Sequence, residues 1–133
     1  MSSTSQVSRA TTKLNKGDLC NPSCPSRGVL EHVTSRWGVL IFILLRQRTH
    51  RFSDLGRRVG GVSQKMLAQT LQNLEADGFV TRTVHPTVPP QVEYGLTPIG
   101  LEAATRVQQL AVWIEDITPK VLQVRAKRVR TPS

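Results

Sequence analysis

The chain has 133 residues, 38% apolar and 20% charged, which fits one globular domain with a modest core and leaves little room for a second. Eighteen Lys and Arg against nine Asp and Glu give a formal charge of +9, concentrated as six basic residues and one acid between Arg46 and Lys65 and as five basic residues without an acid from Lys120 onward. That density points to a polyanion, nucleic acid or an anionic membrane, the plain alternative being a solvated basic surface; a membrane span is excluded, because the longest strongly apolar run, Trp37 to Leu45, is far below the roughly 18 residues required.

Residues 1–19 are polar, have no apolar core for export, and are expected to form a disordered leader. Without such a signal, two cysteines are expected as reduced thiols, and cytoplasm is the natural compartment. From about Pro25 a short helix is predicted, since proline suits the first helical position and Val29, Leu30 and Val33 share one face. A second helix is predicted over Trp37 to Arg46, apolar nearly all round and so buried. Periodicity alone also allows a buried strand there, and the helical turn signals that follow favour the helix.

Ser53 is read as the cap of a short helix, Asp54 to Val59, stopped by Gly60-Gly61, one of them in a left-handed conformation. Ser63 caps a longer helix, Gln64 to Ala76, closed by Asp77-Gly78. Short helix, tight glycine turn, longer helix is the spacing of a helix-turn-helix. On a helical wheel Met66, Leu67, Thr70, Leu71 and Leu74 face inward, and Gln64, Lys65, Ala68, Gln69 and Gln72 face out. The outer face holds no acid before Glu75, and its amides and Lys65 match the groups that pair with base edges in the major groove. An ordinary amide-rich surface is the alternative for this helix taken alone.

Phe79 to His85 and Gln91 to Thr97 alternate with the period of strands, separated by the stiff Pro86–Pro90 loop. They predict a β-hairpin wing behind the candidate recognition helix, with Arg82, His85 and Thr87 as its polar contacts. Thr97-Pro98 opens a last helix, whose stripe of Ile99, Ala103, Val107, Leu110, Ile114 and Ile117, widened by Trp113, suggests a partner surface, the alternative being that the helix merely covers the domain's own core. A two-fold dimer would let two recognition helices read half-sites one turn of DNA apart, roughly 34 Å. The predicted fold is mainly α with a small β-hairpin: a winged helix-turn-helix domain over residues 20–118, followed by a basic tail, 119–133.

The ordered set of motifs resembles the HxlR-type winged-helix transcriptional regulators and, within that family, its YtfH-like members. It comprises Cys24-Pro25 through Trp37; Arg51-Phe52-Ser53-Asp54-Leu55; Gly61-Val62-Ser63-Gln64-Lys65-Met66-Leu67; Leu71 to Gly78; Val88-Pro89-Pro90 with Val92-Glu93-Tyr94; and Leu96-Thr97-Pro98-Ile99-Gly100. The likeness covers about residues 20 to 117. Each motif is weak singly, and their order is specific. The resemblance implies a homodimer formed by the amino- and carboxy-terminal helices, with Leu110, Trp113, Ile114 and Ile117 at its interface, and the recognition helix in the major groove. It departs before Trp37, where the family usually carries Gly-Lys and this chain has Ser35-Arg36; arginine keeps the charge but not the geometry. The family also places a cysteine where Cys24 stands, and in some members it senses oxidants. Here Cys24 either packs as a small residue at the dimer interface or acts as a thiolate favoured by the helix start and Arg27, with Cys20 as its resolving partner.

The expected function is sequence-specific binding of double-stranded DNA by a homodimer, with thiol oxidation as a modulator; the rival is a winged helix used for protein contacts or unspecific nucleic-acid packaging. Base contacts are expected from Gln64, Lys65, Ala68 and Gln69, and backbone contacts from Arg36, Arg51, Ser53, Arg57, Ser63 and Arg82. His50, among Arg48 and Arg51, is read as a phosphate contact or plain surface. No phosphate cradle, nucleophile elbow or paired carboxylates point to an enzyme. The cysteines and histidines have no metal-ligand spacing, and no cofactor is expected.

Overall fold

The computed structural model describes residues 18–130, so most of the expected leader and residues 131–133 lie outside the described residues. In chain order the elements are α1 (Pro25–Val33), α2 (Arg36–Gln47), β1 (His50–Arg51), α3 (Phe52–Arg58), α4 (Gln64–Ala76), β2 (Val80–His85), β3 (Gln91–Leu96) and α5 (Pro98–Arg130). The strands form one antiparallel sheet in the order β1-β3-β2.

The core is built where the apolar stripes of these elements meet. Ile41, Phe42 and Leu45 of α2 pack with Leu55, with Leu67, Leu71 and Leu74 of α4, with Val80 and Tyr94 of the sheet, and with Ala104 and Val107 of α5. Phe42 meets Phe79 edge-on at 5.8 Å between ring centroids, one of few aromatic contacts in a core otherwise made of branched aliphatics. The all-round apolar run is therefore a helix, extending one residue beyond each predicted end of Trp37–Arg46. Its cap is Ser35, whose Oγ accepts from the Gly38 amide at 3.1 Å.

The helix-turn-helix forms as its sequence dictates, with one shift. Gly61 takes φ +88 in the turn, a backbone region that side chains disfavour. Ser63 caps α4 by accepting from the Met66 amide at 3.1 Å. Ser53 does not cap α3. That helix starts at Phe52 with Arg51 in the capping position and no side-chain cap, because His50 and Arg51 are held as a strand against Tyr94 and Glu93 of β3 and the helix begins at once. The wing is thus part of a three-stranded sheet rather than a lone hairpin. Met66 is 46% exposed and not inward as the wheel placed it. It lies about 100° around the helix from Leu67, and Leu67, Leu71 and Leu74 already fill the core.

Thr97 locks α5 to the end of α4: its amide donates to Phe79 O at 3.0 Å, and its hydroxyl to Gly78 O at 2.6 Å while accepting from the Gly100 amide at 3.0 Å. Gly100 passes so close to this loop that a Cβ there would stand 1.9 Å from Phe79 O. Past Val107 no residue of α5 whose side chain is described is buried, yet the helix runs unbroken through Pro119 to Arg130. The basic stretch from residue 119 continues that rod, and no helix end marks the expected division at 118. Among the described residues no single helix is long and apolar enough to cross a membrane.

Candidate nucleic-acid interface

The outward side of α4 carries the residues that its sequence reading placed there, with Met66 in addition. Gln64, Lys65, Gln69 and Gln72 are exposed, Ala68 is half-buried between them, and the one acid of the helix, Glu75, lies in its last turn. Gln69 is pre-oriented, its Nε2 donating to Asn73 Oδ1 at 3.1 Å one turn along. Thr70 turns inward, its hydroxyl satisfied by Met66 O at 2.7 Å.

Cationic side chains surround this face. Arg36, at the start of α2, lies 5.2 Å over the Trp37 ring, and the far edge of that ring comes within 3.7 Å of where a Cβ on Gly61 would stand. Arg36 is thereby placed beside the turn that launches α4. Arg51, Ser53 and Arg57 are exposed along the start of α3. Together with Arg48 they border a polar hollow of about 500 Å³. Ser63 remains exposed while capping. Arg82, on β2, lines a groove with Ala68, Gln72 and Glu75 of α4.

One acid organises the basic cluster. Asp54 is approached by Arg57 at 3.2 Å, Arg58 at 3.4 Å and Arg48 at 3.6 Å, and it also bonds the imidazole of His50 through Nδ1. The hydrogen bond from His50, followed by the charges of Arg58 and His50 itself, holds the Asp54 carboxyl below its ordinary value. His50 is neither a phosphate contact nor surface: it is 1% exposed, and its Nε2 donates to Leu44 O at 3.1 Å. In a strand neighbouring residues face opposite ways, so β1 turns His50 inward and Arg51 outward. A two-residue strand has too little alternation to reveal this in sequence.

The polar residues toward the wing tip are engaged within the wing. His85 Nε2 lies 3.0 Å from Glu93 Oε1, and Thr87 donates to Pro89 O at 2.7 Å. The His85 bond and a second from Thr49 hold Glu93 below the usual carboxylate range. His32 and Asp77 join α1 to the end of α4 at 2.6 Å, a pairing 45 positions apart that no local pattern signals.

Cys24 stands at the start of α1 with Sγ 3.1 Å from Ser26 Oγ; this hydrogen bond, with backbone hydrogen bonding from Asp18 and Ser26, lowers the thiol from its ordinary value. Cys20, expected as its resolving partner, lies in the turn before α1. The turn carrying it is tied to α1 by Arg27, whose Nη1 donates to Leu19 O and Cys20 O, each at 3.3 Å. Both thiols are free. Among the described residues no three His, Cys, Asp or Glu stand together as metal ligands.

The apolar side of α5 is open in the single chain: Leu110, Trp113 and Ile114 are 50%, 58% and 47% exposed, and Ile117 is half-buried. Val29 and Leu30 of α1 are also exposed, and α1 buries no residue fully.

Comparison with known proteins agrees with this architecture. The HTH-type transcriptional regulator YtfH of Escherichia coli (strain K12) is 59% identical over 124 residues, 93% of this chain and 98% of the relative. The structure of the transcriptional regulator YtfH from Salmonella typhimurium superposes with a TM-score of 0.80 at 59% identity, over 84% of this chain and 99% of that one. The redox regulator HypR in its reduced form superposes with a TM-score of 0.68 at 32% identity, over 74% of this chain and 98% of its own. These relatives are transcriptional regulators rather than enzymes. The HxlR-like helix-turn-helix family model matches residues 32–122, and the chain belongs to that family of transcriptional regulators.

Proposed function

We propose that the protein is a homodimer that binds a pseudo-palindromic duplex site, placing one α4 in the major groove of each half-site. The observation that carries this reading is the exposed face of α4, free of acid until Glu75 and flanked by arginines from α2, α3 and β2. Gln64, Lys65, Ala68 and Gln69 meet base edges, where amides suit adenine and lysine suits guanine. Arg36, Arg51, Ser53, Arg57, Ser63 and Arg82 contact the sugar-phosphate backbone and fix register. His85 and Thr87 bring the wing alongside the duplex, with His85 exchanging its bond to Glu93. Leu110, Trp113, Ile114 and Ile117 of α5, with the exposed face of α1, join the protomers. Their exposure supports this, since so contiguous an apolar patch is unusual on a monomer.

The test is binding to a palindromic fragment from upstream of the protein's own gene, at moderate salt with competitor DNA. A regulator keeps a specificity ratio of about 10³ or more; a ratio near unity favours unspecific packaging instead. Sedimentation should show a dimer, and a monomer at binding concentrations would contradict the paired-helix arrangement.

A thiol switch at Cys24 is the second element of the proposal, supported by its lowered pKa and by the likeness to the redox regulator HypR. After mild oxidant, a non-reducing gel should show a covalent dimer that Cys24→Ser abolishes. Absence of that band removes the intersubunit disulfide.

A further inference from the structure

A groove between the sheet and the helix-turn-helix is used by the DNA reading only at its rim. One lobe, of about 410 Å³, is bounded by Arg51, Phe52, Arg82, Pro90, Val92 and Tyr94. A second, of about 390 Å³, lies against Ala68, Gln72 and Glu75 of α4 and shares Arg82 and Tyr94 with the first. Those two residues are thus the wall common to both lobes. They are cross-strand partners on β2 and β3, so both side chains leave the same face of the sheet. Val80, two positions before Arg82 and on that same face, is buried in the core. An arginine there breaks the apolar pattern of the face.

Arg82 is exposed and Tyr94 is buried, and among the described residues neither side chain has a polar partner. Tyr94 is only 7% exposed, yet among the described residues nothing bonds its hydroxyl, and no carboxylate pairs with Arg82. Buried hydroxyls nearly always have a partner, from the protein or from water, so one without a protein partner beside an open groove is available to a group that enters it. Phe52, whose ring centroid lies 6.5 Å from that of Tyr94, forms an aromatic wall with Pro90 and Val92 nearby. Arg51, Ser53 and Gln91 complete the lining of the first lobe, which thus has an apolar side and a polar side in a volume within the roughly 300–1,000 Å³ of small-molecule sites.

We propose that this groove binds a small aromatic carboxylic acid. Its carboxylate is held by the Arg82 guanidinium and the Tyr94 hydroxyl, and its ring lies against Phe52, Pro90 and Val92. A bare inorganic anion would leave the apolar walls wet, and a neutral hydrocarbon would leave both donors unsatisfied. The regulatory consequence rests on the DNA reading above. An acid on Arg82 neutralises a proposed phosphate contact, so ligand and duplex weaken one another by the same factor.

The test is calorimetric titration of the DNA-free full-length protein with benzoate and phenylacetate, with benzamide and inorganic phosphate as controls. Saturable binding of at least one carboxylate is expected, with no binding of benzamide and at least about tenfold weaker binding of phosphate. Arg82→Gln should abolish it. Tyr94→Phe, which keeps the ring and its packing, should weaken it about tenfold, the scale of one hydrogen bond to a charged group. No saturable binding of either carboxylate, equal binding of benzoate and benzamide, or undiminished binding by Tyr94→Phe overturns the site. Because no DNA is present, this result stands apart from operator recognition. Adding the bound carboxylate to the protein–DNA complex should then raise the Kd for duplex, and an unchanged Kd overturns the regulatory role.

Discussion

Replacing Gln69 with alanine separates base reading from folding. In the free protein the Gln69 amide is exposed and bonded only to Asn73, at 3.1 Å one helical turn away. Such a surface pair is worth about 0.2–0.5 kcal/mol, and alanine returns a similar amount through its higher helix propensity, so the melting temperature should hardly move. A bidentate amide–adenine contact is worth about 1–3 kcal/mol of discrimination. Since the Asn73 bond can persist through one amide hydrogen or be exchanged at small cost, the net loss on the correct site should be about 1–2.5 kcal/mol, or roughly five- to seventyfold in Kd. The assay is fluorescence anisotropy on the operator, on each single-base variant of one half-site, and on random duplex. Gln69→Ala should lose affinity for the operator, bind random duplex as wild type does, and become indifferent to base identity at one position per half-site. Asn73→Ala should change affinity by less than about twofold, because it removes orientation and not the contact. Equal losses on operator and random duplex, or unchanged discrimination at every position, would refute the assignment of this face to base edges.

Arg57→Ala should weaken all sequences alike and reduce the slope of log K against log salt by about one unit, because Arg57 leaves Asp54 to neutralise one phosphate; an unchanged slope removes it from the backbone contacts. Asp54 and Glu93 both have lowered folded pKa values, so the stability they contribute is present at neutral pH and is lost as pH falls below about 4. Urea unfolding between pH 3 and 6 should show that acid limb, flatter in Asp54→Asn, and an equally steep limb in the variant would exclude Asp54 as its source. Gly100→Ala should destabilise by about 3 kcal/mol or more and lower Tm by about 10 °C, since its Cβ would collide with the Phe79 carbonyl that anchors Thr97. Gly28→Ala, in α1 with nothing within 4 Å of the new methyl group, should instead stabilise by about 0.5–1 kcal/mol; thermal melts check both, and matching melts for the two variants would contradict the packing at Gly100.

What could be read from the sequence is what local chemistry decides. Ser63 and Gly61 define the start of α4 through a cap and a positive φ, and the spacing of Leu67, Leu71 and Leu74 defines its buried side, all within fourteen residues. That β2 and β3 are strands was legible for the same reason, although burial along them does not alternate. What escaped is decided by distant partners. β1 has two residues and exists only because Glu93 and Tyr94 pair with them, so neither the burial of His50 nor the early start of α3 could be seen locally. The length of α5 escaped because Pro119 and the basic run after it look like an ending, whereas the helix continues with no core to support it. At the candidate interface, the exposed amides of α4 followed from periodicity. Tyr94 did not, because its importance lies in a missing hydrogen-bond partner, which only the packed structure reveals.

The claim on which the account turns is that α4 enters the major groove of two half-sites at once. Methylation protection of guanine N7, which lies in the major groove, tests it on a fragment bound by the wild-type protein and by Lys65→Ala. Two protected clusters related by a two-fold axis are expected, about one helical turn or a multiple of it apart, with protection lost selectively in the variant. Protection in a single cluster, or a footprint that leaves guanine N7 fully reactive while shielding only the backbone, would contradict it.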